Sequence, residues 1–124
     1  MKRKQSGFTL IEIAIVLVII SLLLGGVMKG QELINSAKVT NIVRDFDTVK
    51  QAIYGYQGSY KALPGDDANA VVHVAGTAAT TPAASVGNGT IDGAWDSITA
   101  TDESVLFWQH VRLAGLMTGQ QNVT

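Results

Sequence analysis

The sequence predicts a mainly helical chain, α or α+β in class. A long N-terminal α-helical stem, transmembrane in its first half, precedes a small, loop-rich head with a second helix and at most short strands. Three observations predict this. From Phe8 to Met28 nearly every residue is apolar. No strong helix breaker stands between Gly30 and Gly55, and no proline occurs between Phe8 and Leu63. Beyond Tyr56 the composition turns to Gly, Ala, Thr, Asn and Asp, with one more helical pattern near its end. A chain of 124 residues has room for one small domain.

The apolar run comes first. About 21 residues at about 1.5 Å each give roughly 31 Å of helix, the thickness of a bilayer core. Lys2, Arg3 and Lys4 precede it with no comparable cluster behind it, so the positive-inside tendency places the N-terminus in the cytoplasm and the remainder outside. A secretory signal peptide would want small residues spaced for cleavage after the run, and "LLLGGVMKG" offers that only weakly. Glu12 is the anomaly. A carboxylate at the centre of a span costs about 2.5–3.5 kcal/mol, and even near the cytoplasmic end it needs a reason. A cut between Gly7 and Phe8 would supply one, because the new α-amino group of one subunit could pair with Glu12 of a neighbour.

The helical signal continues past the apolar run. Val39, Ile42, Phe46, Val49 and Ile53 recur at steps of three and four, with Val43 alongside. Lys38, Arg44, Asp45, Asp47 and Lys50 fall largely between them, which makes an amphipathic helix. One helix from about Phe8 to about Tyr56 is expected, its second half packed on the head.

In the head, Pro64-Gly65 suits the two central positions of a type II turn. Asp66 and Asp67 read as turn and cap residues. Tyr54, Tyr56 and Tyr60 read as boundary packing, each hydroxyl left in water. "VVHV" from Val71 and the pair Thr90–Ile91 are the candidate short strands, and Thr77 to Ser85 reads as a mobile surface loop. Asn88, Asp92 and Asp96 offer oxygens around flexible glycines, but the spacing fails the EF-hand pattern and a Gly/Asn turn is the expected reading. "TDESVLFWQHVRLAGL" reads as the second helix, with Thr101 as N-cap, Gly115 as its stop, and Val105, Trp108 and Val111 on the buried face. His110 is expected on the helix surface or at an interface, and His73 in a non-helical setting without a placed carboxylate.

Composition excludes several functions. Cysteine is absent, so there is no disulfide framework or thiolate metal site. Setting the N-terminal cluster aside leaves six basic against ten acidic residues, a balance of −4, and no basic patch for direct nucleic-acid binding. No nucleophile elbow, phosphate loop, metal-ligand spacing or paired acid and base is visible, so neither an enzyme nor a cofactor is expected.

The stretch "KRKQSGFTLIE" resembles the leader of type IV pilins and type II secretion pseudopilins: a short basic segment, Gly7 before the cut, Phe8 after it, then Thr9, Leu10, Ile11 and Glu12. The resemblance implies cleavage at Gly7–Phe8 by a prepilin peptidase, N-methylation of Phe8, and packing of the apolar helices into a filament core with Glu12 setting the register. It divides the chain into a leader at 1–7, a membrane and filament-core helix at 8–29, its amphipathic continuation at 30–57 and a head at 58–124. The implied partners are other copies of the chain and related pilins, the peptidase and methyltransferase, an inner-membrane assembly platform, and membrane lipid before assembly. The implied location is the inner membrane, then a pilus or pseudopilus fibre. Many members carry a proline where Lys29 stands here, and Gly25-Gly26 could supply a flexible point instead.

Overall fold

The structure is a computed structural model that describes Lys4 and residues 7–122. Lys2 and Arg3 of the basic cluster lie outside the described residues. Three helices follow in order: α1 (Leu10–Tyr60), α2 (Ala70–Val74) and α3 (Glu103–Leu113). Among the described residues there is no strand, only an isolated parallel bridge between Thr81 and Asp102. The chain divides into two compact units, Met1–Val43 and Arg44–Thr124.

The N-terminal unit contains only α1 residues beyond its first few positions. Its 18-residue apolar window has a mean hydropathy of 2.8 and no buried residue, and by length and composition α1 can cross a membrane. The helix runs unbroken through Gly25-Gly26, so the expected flexible point is not a break in the hydrogen-bond ladder. Val39, Ile42 and Val43 are exposed, so this part of the amphipathic stripe has no cover within its own unit.

The C-terminal unit is built around the last turns of α1. Ala52 packs with Phe107 and Val111 of α3, flanked by Val49, Ile53 and Met117. The helix continues to Tyr60, one turn beyond the expected end. Tyr56, one turn after Ala52, is fully buried.

At its C-terminus α3 follows its sequence signals. Gly115 takes a positive φ of 74°, its N–H donates to the Arg112 carbonyl at 3.1 Å, and the Leu116 N–H reaches back to the Val111 carbonyl at 3.0 Å. This is the paired closure of a Schellman motif. The N-terminus departs from expectation. The N-cap is Asp102 rather than Thr101, and its side chain does not cap. Carbonyls from distant loops serve instead: Thr81 accepts from the Glu103 N–H and Asp92 from the Ser104 N–H.

Two more expectations are overturned. "VVHV" lies in α2, not in a strand. β-branched residues favour sheets only where a neighbouring strand covers them, and here Val71 and Val72 face solvent with no strand alongside. Thr90–Ile91 likewise forms no strand. The Thr77–Ser85 segment is not a free loop. The Thr77 N–H donates to Gln109 Oε1, the Thr80 and Thr81 N–H groups share the Thr101 carbonyl, and Ala79 and Ser85 are buried.

Candidate processing and assembly site

The start of α1 gathers the three residues singled out by sequence. Gly7 and Phe8 precede the helix and are exposed, Phe8 by 85%. A Cβ placed on Gly7 would meet nothing within 4 Å, so no packing among the described residues requires a glycine there.

Thr9 is a residue that the search for charge in the membrane overlooks. Its Oγ1 accepts from the Glu12 N–H at 3.3 Å, while Glu12 Oε2 accepts from the Thr9 N–H at 3.0 Å. The Thr9 carbonyl takes the first helical hydrogen bond, from Ile13. This is a capping box, which closes two otherwise unpaired donors reciprocally. The signal that finds it is Ser/Thr-x-x-Glu, here Thr9 to Glu12. Glu12 therefore has work within its own chain: it starts the helix, with its carboxylate near the positive helix end. It remains exposed and so accessible to a second partner.

Beyond the cap, the large apolar side chains from Leu10 through Met28 are exposed. Full burial of one such side chain contributes about 1.5–3 kcal/mol. The segment's stability in water is thus set by what covers it, lipid or other helices.

The C-terminal unit holds a second concentration of polar groups, and it corrects several expectations. Asp67 is buried and central. Its Oδ2 accepts from the Tyr56 hydroxyl at 2.6 Å and pairs with His73 Nδ1 at 2.7 Å, and its Oδ1 accepts from the Asn69 N–H. The Tyr56 hydroxyl is therefore not in water, and His73, on α2, does have a placed carboxylate. Burial pushes the Tyr56 phenol well above its usual range, and the adjacent Asp67 carboxylate adds to the effect. Burial also pushes the Asp67 carboxyl up, but hydrogen bonds from Tyr56, His73 and Asn69 together outweigh it and hold the group below the usual carboxylate range.

Asp66 is the anchor of the Gly-Asn-Gly loop. Its carboxylate accepts from the backbone N–H groups of Gly87, Asn88 (3.2 Å) and Gly89 (2.7 Å). The loop thus presents amides to an internal carboxylate. Among the described residues, no group of three His, Cys, Asp or Glu could hold a metal ion. Asn88 and Asp92 bond each other, while Glu103, fully buried on α3, accepts from the Ser85 hydroxyl and the Asp92 N–H.

His110 is fully buried rather than on the surface. Its Nδ1 accepts from the Gly65 N–H at 2.9 Å, which leaves Nε2 to donate to the Thr77 carbonyl at 2.8 Å. Burial holds its pKa below the usual histidine value, against opposing pulls from Thr77 and Asp67. The buried face of α3 is Glu103, Leu106, Phe107, Gln109, His110 and Val111. Trp108, expected inside, is 40% exposed and lies edge-on to Phe107.

These groups make the unit acid-sensitive. A lowered folded-state pKa means that the unfolded chain binds the proton more readily, so stability rises with pH. The His110 contribution is complete above about pH 6.5 and is lost as pH falls below it. The contributions of Asp67 and of Asp102, whose carboxyl is lowered by the Ser97 and Thr81 hydroxyls, are lost below about pH 3.9. The melting temperature of the C-terminal unit, followed by near-ultraviolet circular dichroism on the full chain in detergent, is expected to fall between pH 7 and pH 5 and again below pH 4. A flat profile from pH 7 to pH 5 would contradict the His110 assignment.

Residues 2–28 match the family model described as the prokaryotic N-terminal methylation motif. The match supports a leader of the type IV pilin and pseudopilin kind. The matched segment spans the basic cluster, Gly7, Phe8, the capping box and the apolar helix, and it stops before the amphipathic part of α1. Among curated proteins and among solved structures, no match to this chain was found. The family resemblance accordingly rests on the pilin-type leader. That leader and the apolar helix behind it point to membrane anchoring.

Proposed function

We propose that the chain is a structural subunit of a type IV pilus filament, made as a membrane precursor and assembled through its N-terminal helix. The match of residues 2–28 to the methylation motif is the observation that carries this reading. In it, residues 1–7 are the leader, 8–29 the membrane and filament-core helix, 30–57 its amphipathic continuation and 58–124 the head. The N-terminus is cytoplasmic, and the head is outside the inner membrane.

A prepilin peptidase cuts between Gly7 and Phe8, the new amine of Phe8 is methylated, and Glu12 of a neighbouring subunit pairs with that amine. Exposure of Gly7 and Phe8 supports access by the peptidase. The uncovered apolar surface of α1 supports exchange of lipid for other helices. The chain is a substrate of the processing enzymes and acts by assembling, with other copies, related pilins and the inner-membrane platform as partners.

Gly7→Leu tests the processing step. The expected result is accumulation of full-length precursor in the membrane, with at least a tenfold drop in the cleaved form on immunoblots. Normal cleavage would overturn the assignment of Gly7. The leader also serves pseudopilins, and the cell fraction separates the roles. A pilus subunit is recovered in filaments sheared from the surface, whereas a secretion pseudopilin stays with the envelope.

A further inference from the structure

Between Gly93 and Asp102 the chain forms a knuckle pinned at both ends: the Ser104 hydroxyl donates to the Ala94 carbonyl, and the Ser97 hydroxyl to Asp102. From it stand Trp95, 95% exposed, and Ile98, 98% exposed, with Asp96 exposed between them. Ile98 is also one wall of a groove of about 470 Å³, lined further by Ala100, Val105, Trp108, Arg112 and Asn122. Among the described residues, no acidic side chain lines this groove.

Arg112 lies over the Trp108 ring at 5.9 Å and donates from one terminal nitrogen to the Gln120 carbonyl. Its Nε is buried with no hydrogen-bond partner among the described residues. Neither Arg112 nor Asp96 has an ion-pair partner among the described residues.

We propose that this surface is a contact between two copies of the chain, in which the Trp95–Ile98 knuckle of each enters the Arg112 groove of the other. Exposed tryptophan beside arginine is the composition of an interface centre, not of a solvated face. The occupant follows from charge and placement. Among the described residues the groove offers a cation without an acid, and the adjoining knuckle offers an acid between two apolar side chains. Knob and groove share a wall at Ile98. A two-fold axis beside Ile98 places each knuckle against the other copy's groove and pairs Asp96 with Arg112 twice, the reciprocity that an isologous contact requires. This contact does not depend on processing of the leader.

The test uses the full chain in detergent micelles across a range of protein concentration, read by sedimentation and by tryptophan emission. Trp95 and Trp108 are the only tryptophans in the chain, so the emission reports this surface alone. The expected result is a dimer whose formation shifts the emission to the blue. Trp95→Ala and Asp96→Arg should each weaken it at least tenfold, and Asp96→Arg combined with Arg112→Glu should restore it at least fivefold over Asp96→Arg. Trp95 and Asp96 lie on the surface, so the single variants test the contact without a folding defect. A monomer at every concentration, a dimer indifferent to Trp95→Ala (association through α1 alone), or no recovery in a double variant whose circular dichroism and melting temperature match the parent chain would each overturn the proposal.

Discussion

Glu12→Gln is expected to leave the N-terminal helix intact and the leader cleaved, yet to reduce incorporation into filaments at least tenfold, as Glu12→Ala does. The pair of variants separates two jobs of one side chain. In the capping box, Glu12 Oε2 accepts from the Thr9 N–H. A glutamine oxygen does this almost as well, since Glu and Gln share that position in such boxes. Only the carboxylate can neutralise an amine, and a lone amine in an apolar interior is strongly unfavourable. Loss of a cap costs about 1 kcal/mol, too little to abolish assembly of so large an apolar surface. Filament yield and N-terminal sequencing of the retained protein give the readout. If Glu12→Gln assembled normally and only Glu12→Ala failed, Glu12 would be a cap and its charge irrelevant.

Gly65→Ala is expected to produce the largest loss of stability of any single methyl added to the C-terminal unit. Gly65 has a φ of +91°, in the left-handed region that disfavours any side chain, and an added Cβ would sit 2.5 Å from the Glu103 carbonyl oxygen. The left-handed backbone alone costs about 1–2 kcal/mol for a residue with a side chain. The clash is with backbone at the start of α3, which cannot move without disturbing the Gly65 N–H to His110 hydrogen bond. A total of about 3 kcal/mol or more should lower the melting temperature by at least about 12 °C for a unit of this size. Gly87→Ala is the control. Its φ of +85° is similar, but its Cβ would meet nothing within 4 Å. It should show only the backbone part of the loss, and equal effects of the two variants would refute the close approach of the turn to α3.

The elements legible in the sequence are those whose signals are local. The long apolar run, the three-and-four spacing after it, Pro64-Gly65 and the Gly115 stop each act through neighbours a few residues away. What was illegible depends on partners far along the chain. Asp66 reads as a turn residue because nothing nearby announces Gly87, Asn88 and Gly89 as its donors. "VVHV" reads as a strand because His73 finds Asp67 and Tyr60 only after the α1 end and the turn have met. The buried face of α3 is hidden for a related reason. Glu103, Gln109 and His110 lie on it, and their burial is tolerable only because Ser85, the Asp92 N–H, Thr77 and Gly65 satisfy them. A hydrophobic pattern therefore selects Val105 and Trp108 instead. In this unit, which has no strand among its described residues, carboxylates and an imidazole do the cross-linking of loops that a sheet would otherwise do.

At the proposed processing site the residue types were legible and the geometry was not. Gly7, Phe8 and Glu12 follow from the leader pattern, whereas the role of Thr9 emerges only when the helix start is seen. The most direct measurement is the N-terminal sequence and intact mass of the chain recovered from sheared filaments. A chain that begins at N-methylated Phe8 is the predicted result. A chain that retains the residues before Phe8, found only in the membrane, would contradict the account and leave Glu12 a helix cap alone.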